Sequence, residues 1–598
     1  MSHLPVQCKP QYIAAAIIVA HSLLLGYSDF LHSPTVDEVA HLPSGILIWH
    51  HQNFDLYPVN PPLVKMIAAT PVVFLNPTTD WRRFSSGPGV RSEWTVGEDF
   101  ITANGNKSFH MFGWARLACI PFSIAGAVAC YLWAQDLYGS LAGVLAVSFW
   151  CMSPNIMGNA SLITPDVPAA ALGVWAAYSF RNWIGNETWE NALVAGMLLG
   201  LSELCKFTWI ILFAIWPILA FGIAITNKGK RNIKSMTTIS LHLLGMIFIS
   251  FWIINLGYGF QGTFQKLERF EFVSATLTGN ETDDAMPGNR FIRTIWKDLP
   301  IPLPRNYLIG IDLQKRDFEQ GKWSYLRGEI KHGGWWYYYL YALAVKVPVG
   351  FWALAAISMF VSWQRMRQHR WQECLVLLLP AFLLFILVSS ETGFSRYLRY
   401  VIPAFPFMYI WVSQVATLWA SSPDSMPLQF KAWLKIPVVG MLAWTILSSL
   451  SIYPHSLSYF NELIGGSRNG HYHLIDGNID WGQDLLLLKR WIDDHPNSRP
   501  LTVAYFGGFD ESIAGIRFPK TPKQLQEPGE LSSANSPLEV LPTPGWHAIS
   551  VTLLHHPSKR YNYFHGREPI TRIGYSINIY HIPNSQYDSK ERHEFNVD

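Results

Sequence analysis

Two adjacent carboxylates, Asp37 and Glu38, stand in the stretch TVDEVAHLPSGILIWHHQNFDLYPVNPPLVK, residues 35–65, just after the first apolar run. A carboxylate at a water–lipid boundary can take a proton from a hydroxyl on the water side while a lipid-borne donor arrives from the other. Thr35-Val36-Asp37-Glu38 also fits a capping box, with Thr at the cap and Glu three residues on. Helix initiation and proton transfer are therefore both open readings of the pair. Val39, Leu42, Ile46 and Trp49 follow at helical spacing. They predict a helix lying along the membrane surface and bent at Pro43.

Cations that could meet a phosphate or another anion are spread through the rest of the chain. Lys65 closes the same stretch, after a Pro61-Pro62 pair that suits a helix start. Arg116 lies one turn inside the second apolar run, a costly depth that calls for a partner. Lys206 sits between two apolar runs, and Arg396 and Arg399 stand one turn apart at a helix mouth in ETGFSRYLRYVIPAFP. A pair of guanidinium forks matches phosphate oxygens well. Asp166, in SLITPDVPAA, lies at the mouth of a further helix. Plainer readings stand beside these: snorkelling for the lysines, interface anchoring for the arginines and a helix start for Asp166. His50, His51, His455, His471 and His473 present no ligand set at a metal-binding spacing, so no metal site is assigned and a divalent metal is left open.

The elements that must position these residues are mainly membrane helices. The chain has 598 residues, 50% hydrophobic and 15% charged, against about 25% charged in soluble proteins. Eleven apolar runs are long enough to span, at 11–31, 111–135, 139–157, 167–184, 191–206, 208–226, 236–258, 338–362, 372–390, 397–419 and 434–453. The first is read as an uncleaved helix, having no small-residue cleavage site after it. A net charge of +3 without a basic patch gives no ground for a nucleic-acid partner. The six cysteines (8, 119, 130, 151, 205 and 374) leave the large polar segments without a disulfide framework.

The basic segments NKGKRNIK (227–234) and WQRMRQHRWQ (363–372) should face the cytoplasm. Eleven spans then put the N-terminus inside. Asp37, Asp166, Lys206, the 259–337 segment, Arg396 and everything after about 454 fall on one outer face. The expected organisation is a transmembrane unit over 1–454, with outer loops at 32–108 and 259–337, and a small outer α/β domain over 455–598. In that domain 480–494 reads as a helix, and 501–507, 547–554 and 571–582 read as strands.

The ordered motifs resemble the polyprenyl-phosphate-sugar-dependent membrane glycosyltransferases of family 39, which include protein O-mannosyltransferases and lipid A aminoarabinose transferases. The matches are the Asp37-Glu38 pair, NPPLVK (with Asn60 where relatives often have His or Glu), Arg116, TPD at Asp166, Lys206, WWYYYLYALAVKVPVG (335–350), RYVIPAFPF (399–407), YPHSLSYFNELIGG (453–466) and DGNIDWGQDL (476–485). The last commonly has Ser where Gly477 stands.

The resemblance implies a polytopic helical fold of the GT-C type and transfer of a sugar, with inversion, from a polyprenyl-phosphate lipid. The acceptor would be a hydroxyl of a protein, lipid A or a glycan, and the setting a bacterial inner membrane. Asp37 takes the role of base, with Glu38 beside it. Arg116, Lys206, Arg396, Arg399 and Lys65 are the candidate phosphate cations. Asp166, Asn60, Asp480, Trp481 and Gln483 are candidate substrate contacts, the last three in a junction that could lie over the mouth as a lid. Relatives differ in metal dependence. The competing classes are a flippase for a lipid-linked sugar, which would show paired repeats that this chain lacks, and a non-catalytic assembly protein whose tail binds a partner.

Overall fold

The computed structural model describes residues 9–226, 233–279, 287–366, 371–391, 393, 395–419, 428–518 and 543–583. The N-terminal half is a run of helices: α1 (Pro10–Leu31), α2 (Val36–His51), α3 (Pro62–Val73), α4 (Glu93–Asn104), α5 (Lys107–Tyr138), α6 (Ser140–Cys151), α7 (Pro154–Met157), α8 (Asp166–Gly185), α9 (Trp189–Glu203), α10 (Leu212–Thr226) and α11 (Ile233–Gly257). The segment after α11 holds α12 (Ala275–Thr278), α13 (Arg305–Gln320) and an antiparallel hairpin of β1 (Trp323–Leu326) and β2 (Glu329–His332). Then come α14 (Tyr338–Lys346), α15 (Val349–Met366), α16 (Trp371–Ser390), α17 (Phe405–Val412) and α18 (Leu428–Leu450), with 3-10 turns on both sides of α17.

Among the described residues seven helices are long and apolar enough to cross a membrane, or eight if α14 and α15 form one span bent by 111°. Every run expected to span is helical. Three of them, at α6, α8 and α9, are shorter or more polar than a lone spanning helix requires, so eleven spans are not established. Residues 227–232 and 367–370 of the two basic segments fall outside the described residues. The ends of α10 and α15 that lead into them are the ends remote from Lys206 and from the α14–α15 bend.

The first loop departs from expectation. The helix does not bend out along a surface at Pro43: α2 is one helix through that residue and is buried from Val36 to Ile48, apart from Asp37 at its start. Three layers cover it. A Cβ on Gly45 would lie 2.1 Å from the carbonyl oxygen of Lys65 in α3, and one on Gly97 of α4 would lie 2.4 Å from that of Val39. Gly508 of the tail closes over Val39 as well. Trp49, expected on the apolar face, is the residue left half exposed.

The tail contains α19 (Leu485–Asp494), β3 (Leu501–Ala504), β4 (Gly545–Ser550), α20 (Val551–Leu554), β5 (Thr571–Ile573) and β6 (Ile577–Ile582). The strands form one sheet in the order β3-β4-β6-β5, with β3 parallel to β4 and the other pairs antiparallel. The run 571–582, read as a single strand, is a hairpin because Gly574 and Tyr575 both turn through positive φ. The strand read over 547–554 ends at Ser550, after which α20 begins. Residues 455–484 are threaded into the helical unit. Asn461 donates to the carbonyls of Ala344 and Val347, and Ser33 and Val36 donate through their backbone to Gln483 and Trp481.

Candidate active site

Glu38 and Asp37 diverge completely. Glu38 is fully buried. It accepts from the Thr35 backbone N–H (2.7 Å), the Thr35 hydroxyl (2.9 Å) and the Ile163 N–H (3.1 Å), and from Arg116 through both Nε (2.8 Å) and Nη2 (2.6 Å). Burial would raise its carboxyl, but the Arg116 charge and these hydrogen bonds hold it below the usual carboxylate range. The other donors of Arg116 go to the carbonyls of Asp29, His32 and Ser33. All five guanidinium N–H groups are used. Arg116, expected to meet a donor phosphate, instead staples the exit of α1 and the start of α2 to α5.

Asp37 points the other way and keeps 19% of its side chain exposed. Its carboxylate accepts from Arg399 Nη2 at 2.8 Å. Arg399 Nη1 lies 3.6 Å from Asp166 Oδ2, and Asp166 Oδ1 accepts from Lys206 Nζ at 2.6 Å. Charges alternate along the row Asp37, Arg399, Asp166, Lys206, drawn from α2, the turn before α17, the start of α8 and the end of α9. Aromatic rings wall it in: the Arg399 guanidinium sits 4.1 Å from the Trp481 ring centre, and Lys206 Nζ 5.0 Å from that of Tyr400.

Several buried polar atoms here lack a hydrogen bond: Arg399 Nε, Asp166 Oδ2, Asn159 Oδ1, Ser456 Oγ and both ring nitrogens of His41. Unpaired buried polar atoms are uncommon and cluster where a ligand is to be met. A small polar cavity beside Arg399 is lined by Asn155, Asn159, Lys346, Ser456, Gly477 and Asn478. Lys346 donates to the carbonyls of Leu457 and Asn478, which fixes the cavity floor.

The remaining candidates take other places. Lys65 is buried and donates to the Tyr57 carbonyl at 2.9 Å. Burial pushes its ammonium down to about 7, and Glu93 opposes this. Arg396 turns away from Arg399 and pairs with Asp476 at 2.7 Å, so the two arginines form no joint fork. Asn60 closes a turn onto the Tyr57 carbonyl. Asp480 accepts from the Thr552 N–H at the start of α20, and burial raises its carboxyl to about 7. Gln483 donates to Ser458 and to the Ile479 carbonyl, holding the loop that carries Trp481. His41, which sequence reasoning passed over, lies one helical turn beyond Asp37 and edge-on to Tyr57, with ring centres 4.8 Å apart. It lies within the fields of Lys65, Arg399 and Asp166; burial, followed by Lys65 and Arg399, holds its imidazole well below the usual range. The i, i+4 spacing from Asp37 was the available signal.

The family model described as dolichyl-phosphate-mannose-protein mannosyltransferase matches residues 104–254, which include Arg116, Asp166 and Lys206. Among solved structures, the S. cerevisiae protein O-mannosyltransferase Pmt1-Pmt2 complex bound to the sugar donor is similar over 75% of this chain and 90% of that chain, at a TM-score of 0.50 and 10% identity. ArnT from Cupriavidus metallidurans bound to undecaprenyl phosphate is similar over 94% and 97%, at 0.43 and 12%. The Archaeoglobus fulgidus oligosaccharyltransferase in complex with Zn and sulfate is similar over 90% and 68%, at 0.44 and 11%. No curated protein matches the chain. At these identities likeness speaks for the fold alone, and the Pmt1-Pmt2 match gives a multi-pass membrane architecture of the GT-C type. With the family match over residues 104–254, this fold makes the chain similar to the membrane glycosyltransferases.

Proposed function

We propose that the protein moves a sugar from a polyprenyl-phosphate donor to a hydroxyl acceptor with inversion, and that Asp37 is the general base. The observation that carries this is the contrast within the acidic pair: Glu38 is sealed, while Asp37 is partly exposed and paired with Arg399 at the edge of a polar cavity. The acceptor O–H gives its proton to the Asp37 carboxylate as its oxygen attacks the anomeric carbon. The bond from that carbon to the phosphate oxygen breaks on the opposite face, and polyprenyl phosphate leaves with one more negative charge. Arg399 and Lys206 supply fixed positive charge for it in a site largely closed to water. Tyr400, partly exposed beside this row, offers a ring against which a sugar can pack. An apolar crevice lined by Leu199, Leu212, Phe213, Trp216, Leu243 and Met246 lies among α9, α10 and α11 and suits a prenyl chain.

The positive-inside bias of 227–234 and 363–372 supports an outward-facing site in a bacterial inner membrane, with the tail on the same side. Sugar, acceptor class and metal requirement are separate matters. The test is to incubate the full chain in detergent with an α- or β-configured polyprenyl-phosphate sugar and a panel of protein, lipid A and glycan acceptors, and to read the product anomer by NMR. A product of inverted configuration is expected. Retained configuration would overturn the single-displacement reading, and donor translocation in liposomes without any product would support a flippase instead.

A further inference from the structure

Away from the Asp37 cavity, three side chains that can ligate a metal converge from distant parts of the chain. His32 follows the last residue of α1, His455 comes after the last membrane helix, and Asp484 is the residue before α19. His32 Nε2 lies 3.4 Å from His455 Nδ1 and 3.7 Å from Asp484 Oδ1, and His455 Nδ1 lies 3.8 Å from the same oxygen. A point equidistant from three atoms so spaced is about 2.1 Å from each, the bond length of zinc to imidazole nitrogen or carboxylate oxygen.

The three groups are aimed from behind. His32 Nδ1 lies 3.2 Å from the Ser28 carbonyl oxygen, which takes its proton and leaves a lone pair on the inward Nε2. Asp484 Oδ2 accepts from Ser576 Oγ at 2.6 Å, which turns Oδ1 inward. The β5–β6 turn pins this carboxylate, because a Cβ on Gly574 would sit 2.1 Å from Oδ2. Asp484 is fully buried, yet Oδ1 has no hydrogen-bond partner. An orphaned carboxylate oxygen facing two imidazole nitrogens is a costly arrangement unless something positive lies between them.

The structure assigns to His32, His455 and Asp484 a transition-metal site of the zinc class that braces the exit of α1 and the end of the last span to the tail. Two imidazole nitrogens and one carboxylate oxygen suit zinc and its neighbours, whereas magnesium and calcium take oxygen ligands. His455, with 24% of its side chain exposed, is the side from which an ion and a fourth, solvent ligand enter. The brace adjoins the pairing of Ser33 with Gly482 and Gln483, which ties the turn before α2 to the loop carrying Trp481.

The test uses the tag-free full-length chain in detergent, stripped with a chelator and then offered Zn(II) or Co(II) alone. After desalting, elemental analysis should find about one ion per chain, Co(II) should give a ligand-field spectrum, and the ion should raise the thermal midpoint. His455→Ala and Asp484→Asn should each lose the retained ion and that rise, while unfolding as the stripped parent does. No retained ion in the parent would mean that a shared proton fills the gap and would overturn the proposal. So would equal retention by whichever variant folds, because the ion would then sit on other histidines.

Discussion

Around Glu38 every partner is engaged: two backbone N–H groups, a hydroxyl and a guanidinium whose five donors are all used, with no exposed surface. Around Asp37, one residue away, the carboxylate reaches solvent, and the arginine facing it keeps Nε unpaired beside a cavity lined with amides. The first region is what a membrane protein needs to bury a charge safely, because a buried ion pair holds only when its remaining valences are met. The second is incomplete in itself, which is how a site that must bind and release a charged lipid is built. Successive residues on one helical turn face roughly 100° apart, so a single capping box sends Glu38 into the scaffold and Asp37 toward Arg399.

Substitutions should separate the two regions. The largest effect is expected at the staple. Glu38→Ala leaves Arg116 buried and unpaired and should cost about 3–5 kcal/mol of stability, read as a lower thermal midpoint in detergent, with activity lost only through unfolding. Arg399→Lys should do the opposite. It keeps the charge but not the fork, so transfer should fall about 10- to 100-fold with the thermal midpoint nearly unchanged. An equal loss of stability in both variants would erase the distinction.

The smallest effect should appear in the pH dependence of stability at the 480–484 junction. Burial raises the Asp480 carboxyl to about 7 in the folded protein, above its value of about 4 in an unfolded chain. The folded state therefore holds this proton more tightly, and Asp480 contributes stability that is present at low pH and lost as pH rises from about 4 to about 7. Asp480→Asn should flatten that fall in a series of thermal melts. Glu38 has the reverse sign, its folded carboxyl being depressed, so its contribution is lost on acidification.

Much of this was legible in the chain. Apolar runs of spanning length marked the helices, the Thr35–Glu38 box marked the start of α2, and TPD marked Asp166 at the mouth of α8. What was not legible depends on partners far away in sequence. Arg116 is one turn inside a span either as an anchor or as a staple, and only Glu38, 78 residues away, decides which. Arg396 and Arg399 share a face by spacing, but Asp476 draws one aside, and the 3-10 geometry of 398–404 removes the helical register that would have aligned them. The burial of α2 depends on α3, α4 and Gly508 closing over it, which no local periodicity contains. His455 stood out as a histidine without ligands because its companions lie 423 residues before it and 29 after.

The most direct measurement is single-turnover transfer by full-length Asp37→Asn, made alongside donor affinity and thermal midpoint. The account predicts donor affinity and midpoint close to those of the parent and a transfer rate lower by about 100- to 10,000-fold, the range of a lost general base. Transfer at the parental rate in a folded, donor-binding Asp37→Asn protein would contradict it.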